Sequence, residues 1–170
     1  MNRQGTNMLN FRAPALVDGR LTYLSGKQFL GRVAVICFLP YPGIVAAGTL
    51  DRQTEEFRRI GVGFLIAISG ARPFHRAWND QEETPRTPVM ADPCGRLHRM
   101  FGVVAEEPSP RCRTFVIDGG GVLRLRFTHG FIDHDLAAIR HLVALNRLHL
   151  AEGVPSTETE MAAKGEYLPV

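Results

Sequence analysis

Two stretches constrain the fold before anything else does. VAVICFLP (33–40) and GVGFLIAIS (61–69) are near-continuous apolar runs rich in β-branched residues. A strand with one wet face would alternate polar and apolar residues, whereas runs like these belong to strands buried on both faces of a parallel sheet. Parallel neighbours need a crossover, and the segment between them predicts a helix over 49–59, with Thr49 as its N-cap. The joining loop, within FLPYPGIVAAGTLD (38–51), therefore runs from a strand end to a helix N-terminus. Such a place suits a thiolate or an anion, because free backbone amides and the helix dipole favour negative charge there. Yet no cysteine occurs from Leu39 to Pro93.

The rest of the chain builds outward from that core. VDGR and SGK are turn signals that predict a short hairpin or extended arm after NFRAPAL. GARPFHRAWND (70–80) predicts a short helix, with Trp78 packing it onto the sheet, and a third short strand follows near Val89. A helix over 94–101 should start just after Asp92–Pro93, with the proline in its first-turn region. CRTFVIDGGGVLRLRF reads as a hairpin; GGG at 119–121 suits a tight turn rather than a phosphate loop, since no helix follows it. DHDLAAIRHLVALNRLHL (133–150) carries Leu136, Ile139, Leu142, Val143 and Leu145 at helical spacing. This is an α/β layered domain over 1–150, followed by a polar, extended tail over 151–170.

Composition removes several function classes. A chain of 170 residues, 45% hydrophobic and 22% charged, suits one domain with a sizeable core. No run is long enough for a membrane helix, and the N-terminus lacks the layout of a signal peptide, so a cytoplasmic protein is expected. The net charge of +3 comes almost wholly from scattered arginine, with Lys27 and Lys164 the only lysines. Arg58 and Arg59 sit a turn from Glu55 and Glu56, as on a solvated helix face, and nothing resembles a nucleic-acid platform. Three widely spaced cysteines, Cys37, Cys94 and Cys112, make neither a disulfide framework nor a zinc site.

Taken in order, NFRAPA, VAVICFLP, EEFRRIGVGFLIAIS, HRAW, TPVMADPCGRLHRMFGV, RTFVIDGGGVLRLRF and VPSTETEMAAKGE resemble the peroxiredoxin family of the alkyl hydroperoxide reductase/thiol-specific antioxidant type. The resemblance covers roughly residues 10 to 166 and implies a thioredoxin-like fold, a central mixed β-sheet flanked by helices. It also implies a thiol-dependent peroxidase that needs no cofactor or metal. In that family a cysteine in the first turn of the helix attacks peroxide. A threonine or serine lies three residues before it and a proline seven before it. An arginine lies six residues before the aspartate of the FVID-type strand. The chemistry needs this set, because attack requires a thiolate and O–O cleavage requires donors around the leaving oxygen. Carried across, the proline matches Pro40. The threonine position is Ile44, the cysteine position Ala47, and the arginine position Cys112, flanked by Arg111 and Arg113. The family's usual second cysteine near the C-terminus has no match either.

The leading reading is a peroxiredoxin-like pseudoenzyme that acts as a binding, structural or regulatory subunit. Tyr41, Pro42, Ile44 and Val45 would be its contacts, in a homodimer or larger assembly, with a protein partner or an active relative. The competing reading is a thiol peroxidase or oxidoreductase using a relocated cysteine. Cys94 would then lie at a helix N-terminus, and Cys112 would be tuned by its arginines; otherwise Cys112 is a small buried hydrophobe with both arginines on the opposite face. Cys37 reads as core. A third reading is a binder of small apolar molecules in a pocket of Phe38, Ile44 and Ala47. His129, Asp133, His134 and Asp135 could suggest a metal, against solvated charges with Asp133 capping the last helix.

Overall fold

The computed structural model describes residues 6–70, 84–104, 111–130, 132–146 and 150. The expected helix within 70–80, including His75 and Trp78, and the tail over 151–170 fall outside these residues. Seven strands make one sheet: β1 (Arg12–Val17), β2 (Arg20–Ser25), β3 (Ala34–Leu39), β4 (Gly63–Ser69), β5 (Val89–Asp92), β6 (Cys112–Ile117) and β7 (Leu123–His129). Their spatial order is β2-β1-β5-β4-β3-β6-β7. The helices among the described residues are α1 (Ala47–Arg59), α2 (Arg96–Phe101) and α3 (Ile132–Leu145), with a short 3-10 turn at Gly26–Phe29.

The two apolar runs lie side by side at the centre. β3 and β4 pair in parallel, Ala34 with Gly63 through Leu39 with Ile68, and β4 pairs in parallel with β5. The other pairings are antiparallel: β3 with β6, β6 with β7, and β1 with both β2 and β5. The sheet is therefore mixed, and all six residues of β3 are buried. Because side chains alternate across a strand, β3 feeds two cores. Val35, Cys37 and Leu39 join Leu50 and Phe57 of α1 and Leu136, Ile139 and Val143 of α3. Ala34, Ile36 and Phe38 face the other way, toward Leu97 and Phe101 of α2, with Leu9 from the N-terminal segment. Phe38 is ringed there by His98, Phe101 and Phe115, with centroids 5.0, 5.3 and 5.4 Å away.

Two helix starts differ from expectation. α1 starts at Ala47, and Ala46, not Thr49, is its N-cap, with no side-chain hydrogen bond. The extended Ala46 carbonyl accepts from the amides of both Thr49 and Leu50, at 3.1 and 3.3 Å, so the first turn closes two residues early and buries Ala47 and Leu50. α2 begins at Arg96 instead of Cys94, because Gly95 takes a left-handed φ of 67° that ends the preceding turn. α3 spans Ile132–Leu145; the Asn146 side-chain amide donates to the Leu142 carbonyl, and Leu150, also helical, donates its amide to the Asn146 carbonyl at 3.0 Å.

The GGG stretch is a hairpin turn, as expected. The Asp118 carboxylate accepts from Gly120 N and Val122 N, both at 2.9 Å, and from Arg124 Nε at 2.6 Å. Distant segments converge on the same turn: Met8 N donates to Gly121 O, Gly31 N to Gly119 O, and Gly119 N to Leu150 O. Gly121 has φ of 86°, and a Cβ there would run into the Asn7 side chain.

Candidate functional site

Between β3 and α1 the chain turns through Pro40 to Ala46. Tyr41 is exposed, and Pro40, Pro42 and Ile44 are half-buried. Val45 and Ala47 are only 8% and 3% exposed and join Leu39, Leu50 and Cys112 in the core under α1, with Ile44 packed against them. The position where the resemblance calls for a thiolate is thus a methyl group set among hydrocarbon. Two expectations need correction. Val45 is not a surface contact like Tyr41, because the helix start draws it into the core. Phe38, Ile44 and Ala47 cannot line one pocket, because Phe38 points through the opposite face of the sheet.

Neither arginine flanking Cys112 shares its face of β6. Arg111 is exposed, and Arg113 Nη1 donates to Thr128 Oγ1 at 3.0 Å, as strand alternation requires. Its partner is another thiol. Cys37 is opposite Thr114 in the β3–β6 register, so Cys112, two residues from Thr114, lies on the same face and diagonal to it. The Cys37 thiol hydrogen-bonds Cys112, which pushes Cys37 well above the usual thiol range and draws Cys112 below it. Opposite Cys112 in the β6–β7 register is His129, whose Nε2 lies 2.6 Å from Thr114 Oγ1. Burial holds the His129 pKa below its ordinary value, against the pull of Asp135. His129 Nδ1 lies 3.6 Å from Asp135 Oδ2 and is a buried polar atom with no hydrogen-bond partner among the described residues.

Cys94 is exposed and lies two residues before α2, outside its first turn. It lines a cleft of about 640 Å³ with Arg12, Lys27, Asp92 and Arg96. Asp92 is engaged from within, accepting from His98 N at 2.9 Å and His98 Nδ1 at 2.7 Å. The histidine–aspartate group near α3 divides between neighbours. Asp133 does not cap α3 but sits in its first turn and bridges to α1, accepting from Arg52 Nη2 at 2.7 Å and Gln53 Nε2 at 3.1 Å. Those bonds keep its carboxyl below the usual range. His134 is exposed and lies 3.3 Å from Asp135 Oδ1. Among the described residues no three ligand-type side chains cluster to hold a metal.

A mixed sheet with this strand–loop–helix at its centre is the thioredoxin-like peroxiredoxin fold. The AhpC structure from Enterococcus faecalis superposes with a TM-score of 0.64 at 20% identity, over 83% of this chain and 95% of that one. Residues 5–126 match the AhpC/TSA family, and the chain belongs to that family. It is 29% identical over 126 residues to a thioredoxin peroxidase of Echinococcus granulosus, and 29% identical over 136 residues to peroxiredoxin-2 of Macaca fascicularis. These alignments take in 68% and 72% of this chain, which spans 65% and 67% of the lengths of those relatives.

Sequence reasoning did not foresee that Cys37 and Cys112 share one face of the β3–β6 pair. The available signal was that both thiols sit in strand-like runs; their meeting depends on the β3–β6 register, which no local pattern encodes.

Proposed function

We propose that this AhpC/TSA-family chain is not a peroxidase at the family's usual position and serves as a non-catalytic binding, structural or regulatory subunit. The observation that carries this reading is Ala47, buried at the start of α1 among Leu39, Val45, Leu50 and Cys112. A methyl group cannot form a sulfenic acid, and Ile44 and Cys112 offer no guanidinium or hydroxyl to polarise an O–O bond. The loop's remaining chemistry is contact, and exposed Tyr41 with half-buried Pro42 and Ile44 is its apolar outer surface. A second copy of the chain or an active peroxiredoxin relative is the partner we favour, in a cytoplasmic setting.

The test is hydroperoxide consumption under an excess of a dithiol reductant. We expect a rate no greater than that of an equal concentration of free thiol; sustained turnover would overturn the reading. Ala47→Cys should also stay inert, because a thiol set among hydrocarbon has its pKa raised and is little ionised. In parallel, Tyr41→Ser should weaken self-association, or co-assembly with an active relative, as measured by sedimentation.

One observation favours the alternative, a thiol-dependent oxidoreductase with a relocated cysteine. Cys112 has a hydrogen-bonding thiol beside it, whereas Cys94 is exposed and lies outside the first turn of α2.

A further inference from the structure

We propose that the outer edge of β2 is an interface on which a second copy of this chain pairs, strand against antiparallel strand, about a two-fold axis through Thr22. The inference is independent of how the loop at 40–46 is used. β2 stands at one end of the sheet, and among the described residues only β1 pairs with it. Asp18 and Gly19, at φ of 50° and 72°, join Val17 to Arg20 as the two-residue loop of a tight hairpin. The closing pair of such a hairpin is hydrogen-bonded, and bonded pairs then alternate along the ladder. Val17–Arg20, Ala15–Thr22 and Ala13–Leu24 are therefore the bonded pairs. At the base of the hairpin Gly26 N donates to Phe11 O in the same phase, at 2.9 Å. The amides and carbonyls of Leu21 and Tyr23 turn the other way, to the open edge.

The side chains at that edge complement a copy of themselves. Leu21 and Tyr23 are 68% and 60% exposed and, two residues apart, lie on one face of β2. An axis through Thr22 sets Leu21 against Tyr23 of the second copy and Tyr23 against its Leu21. In both pairs the outward backbone groups point at each other, so each pair can exchange both of its N–H···O bonds while the two apolar side chains pack together. Thr22 meets Thr22 and Arg20 lies against Leu24, so no like charges are opposed. An axis through Tyr23 would instead set Leu21 against Ser25, where the strand gives way to the 3-10 turn that Ser25 caps. The far edge of the sheet differs. β7 carries Arg124 and Arg126, so pairing about its middle residue would set Arg126 against Arg126, and its register with β6 shifts between Val116 and Ile117. Charges and irregularities of this kind keep edge strands from pairing, and β2 has neither beyond Arg20 at its first residue.

The experiment follows the reduced full-length protein by sedimentation across a concentration series, alongside Thr22→Lys, Thr22→Glu and their equimolar mixture. Thr22 is exposed, so both variants should fold, and their urea midpoints check this. We expect a wild-type dimer, with the dissociation constant raised by about tenfold or more in each variant alone, where like charges meet at the axis. The mixture, where the charges are opposite, should recover association. Leu21→Ser combined with Tyr23→Ser should weaken the dimer as well. Amide hydrogen exchange gives an independent mark of edge pairing. The Leu21 and Tyr23 amides should be protected in the wild-type dimer and exchange freely in Thr22→Lys, while those of Thr22 and Leu24, bonded to β1, stay unchanged. A monomer at every concentration, or a dimer that both charged variants leave intact, would overturn the proposal. A dimer lost in Tyr41→Ser but not in the Thr22 variants would overturn it and keep the loop as the contact; the reverse pattern would keep the edge and end the loop's role in self-association.

Discussion

At the scale of single residues, the buried imidazole makes the sharpest prediction. His129 is 3% exposed, and its burial depresses its pKa below the ordinary 6.5. The unfolded chain then takes up a proton near pH 6.5 that the folded chain refuses. Stability falls as pH drops from about 6.5 toward the depressed value and is constant above that window. Urea midpoints between pH 8 and pH 5 should show the decline, and His129→Gln, which can keep a partner for Thr114, should flatten it. A decline of equal slope in the variant would mean another group is responsible. Asp133 acts in a separate window. Its carboxyl is held low by Arg52 and Gln53, so its contribution is complete above about pH 3.8 and is lost as pH falls from there toward the depressed value. Ile44, Ala47 and Cys112, at the positions that the resemblance assigns to threonine, cysteine and arginine, are read from sequence position alone; that Cys37 lies diagonal to Cys112 could not be read so.

At the scale of elements, the start of α1 is its weakest point. Ala46 is exposed and caps nothing with its side chain, leaving first-turn amides to solvent. Ala46→Asp should stabilise the protein by about 1 kcal/mol, read as a rise in the urea midpoint without a change in slope. The two central strands were readable because burial on both faces leaves an unbroken apolar run. The hairpins over 12–25 and 112–129 were readable from turn residues. The helix ends were not, since Ala46 and Gly95 set them through backbone conformation, and Thr49, the better capping residue in the sequence, lies inside the first turn.

At the scale of the whole molecule, one layer of sheet separates two cores that share no residues. Substitutions on one face should be close to additive with those on the other, apart from packing transmitted through the backbone of β3. Leu50→Ala on one side and Phe101→Leu on the other test this: the double variant's loss in stability should equal the sum of the singles within about 0.5 kcal/mol. The sheet's mixed character was legible only by resemblance. Spatial order depends on pairings between segments far apart in sequence, and the apolar runs carry no record of which neighbour lies on which side. The turn at 118–121 shows the same dependence in compressed form, and Asp118→Ala should cost about 1–3 kcal/mol, because it removes the acceptor of two turn amides and of Arg124 Nε.

That turn also sets an order of events for a chain emerging from the ribosome. The amide of Met8 and the amide of Gly31 both find their acceptors in residues 119–121, and the amide of Gly119 finds its own in Leu150. The N-terminal segment can form its hairpin early, but its outer attachment must wait until most of the domain has been synthesised. Until then β3 and β4 lack β6 on one side, and the apolar strand at the centre is an open edge. In a nascent chain of this design, the synthesis of β6 decides when that edge can be covered.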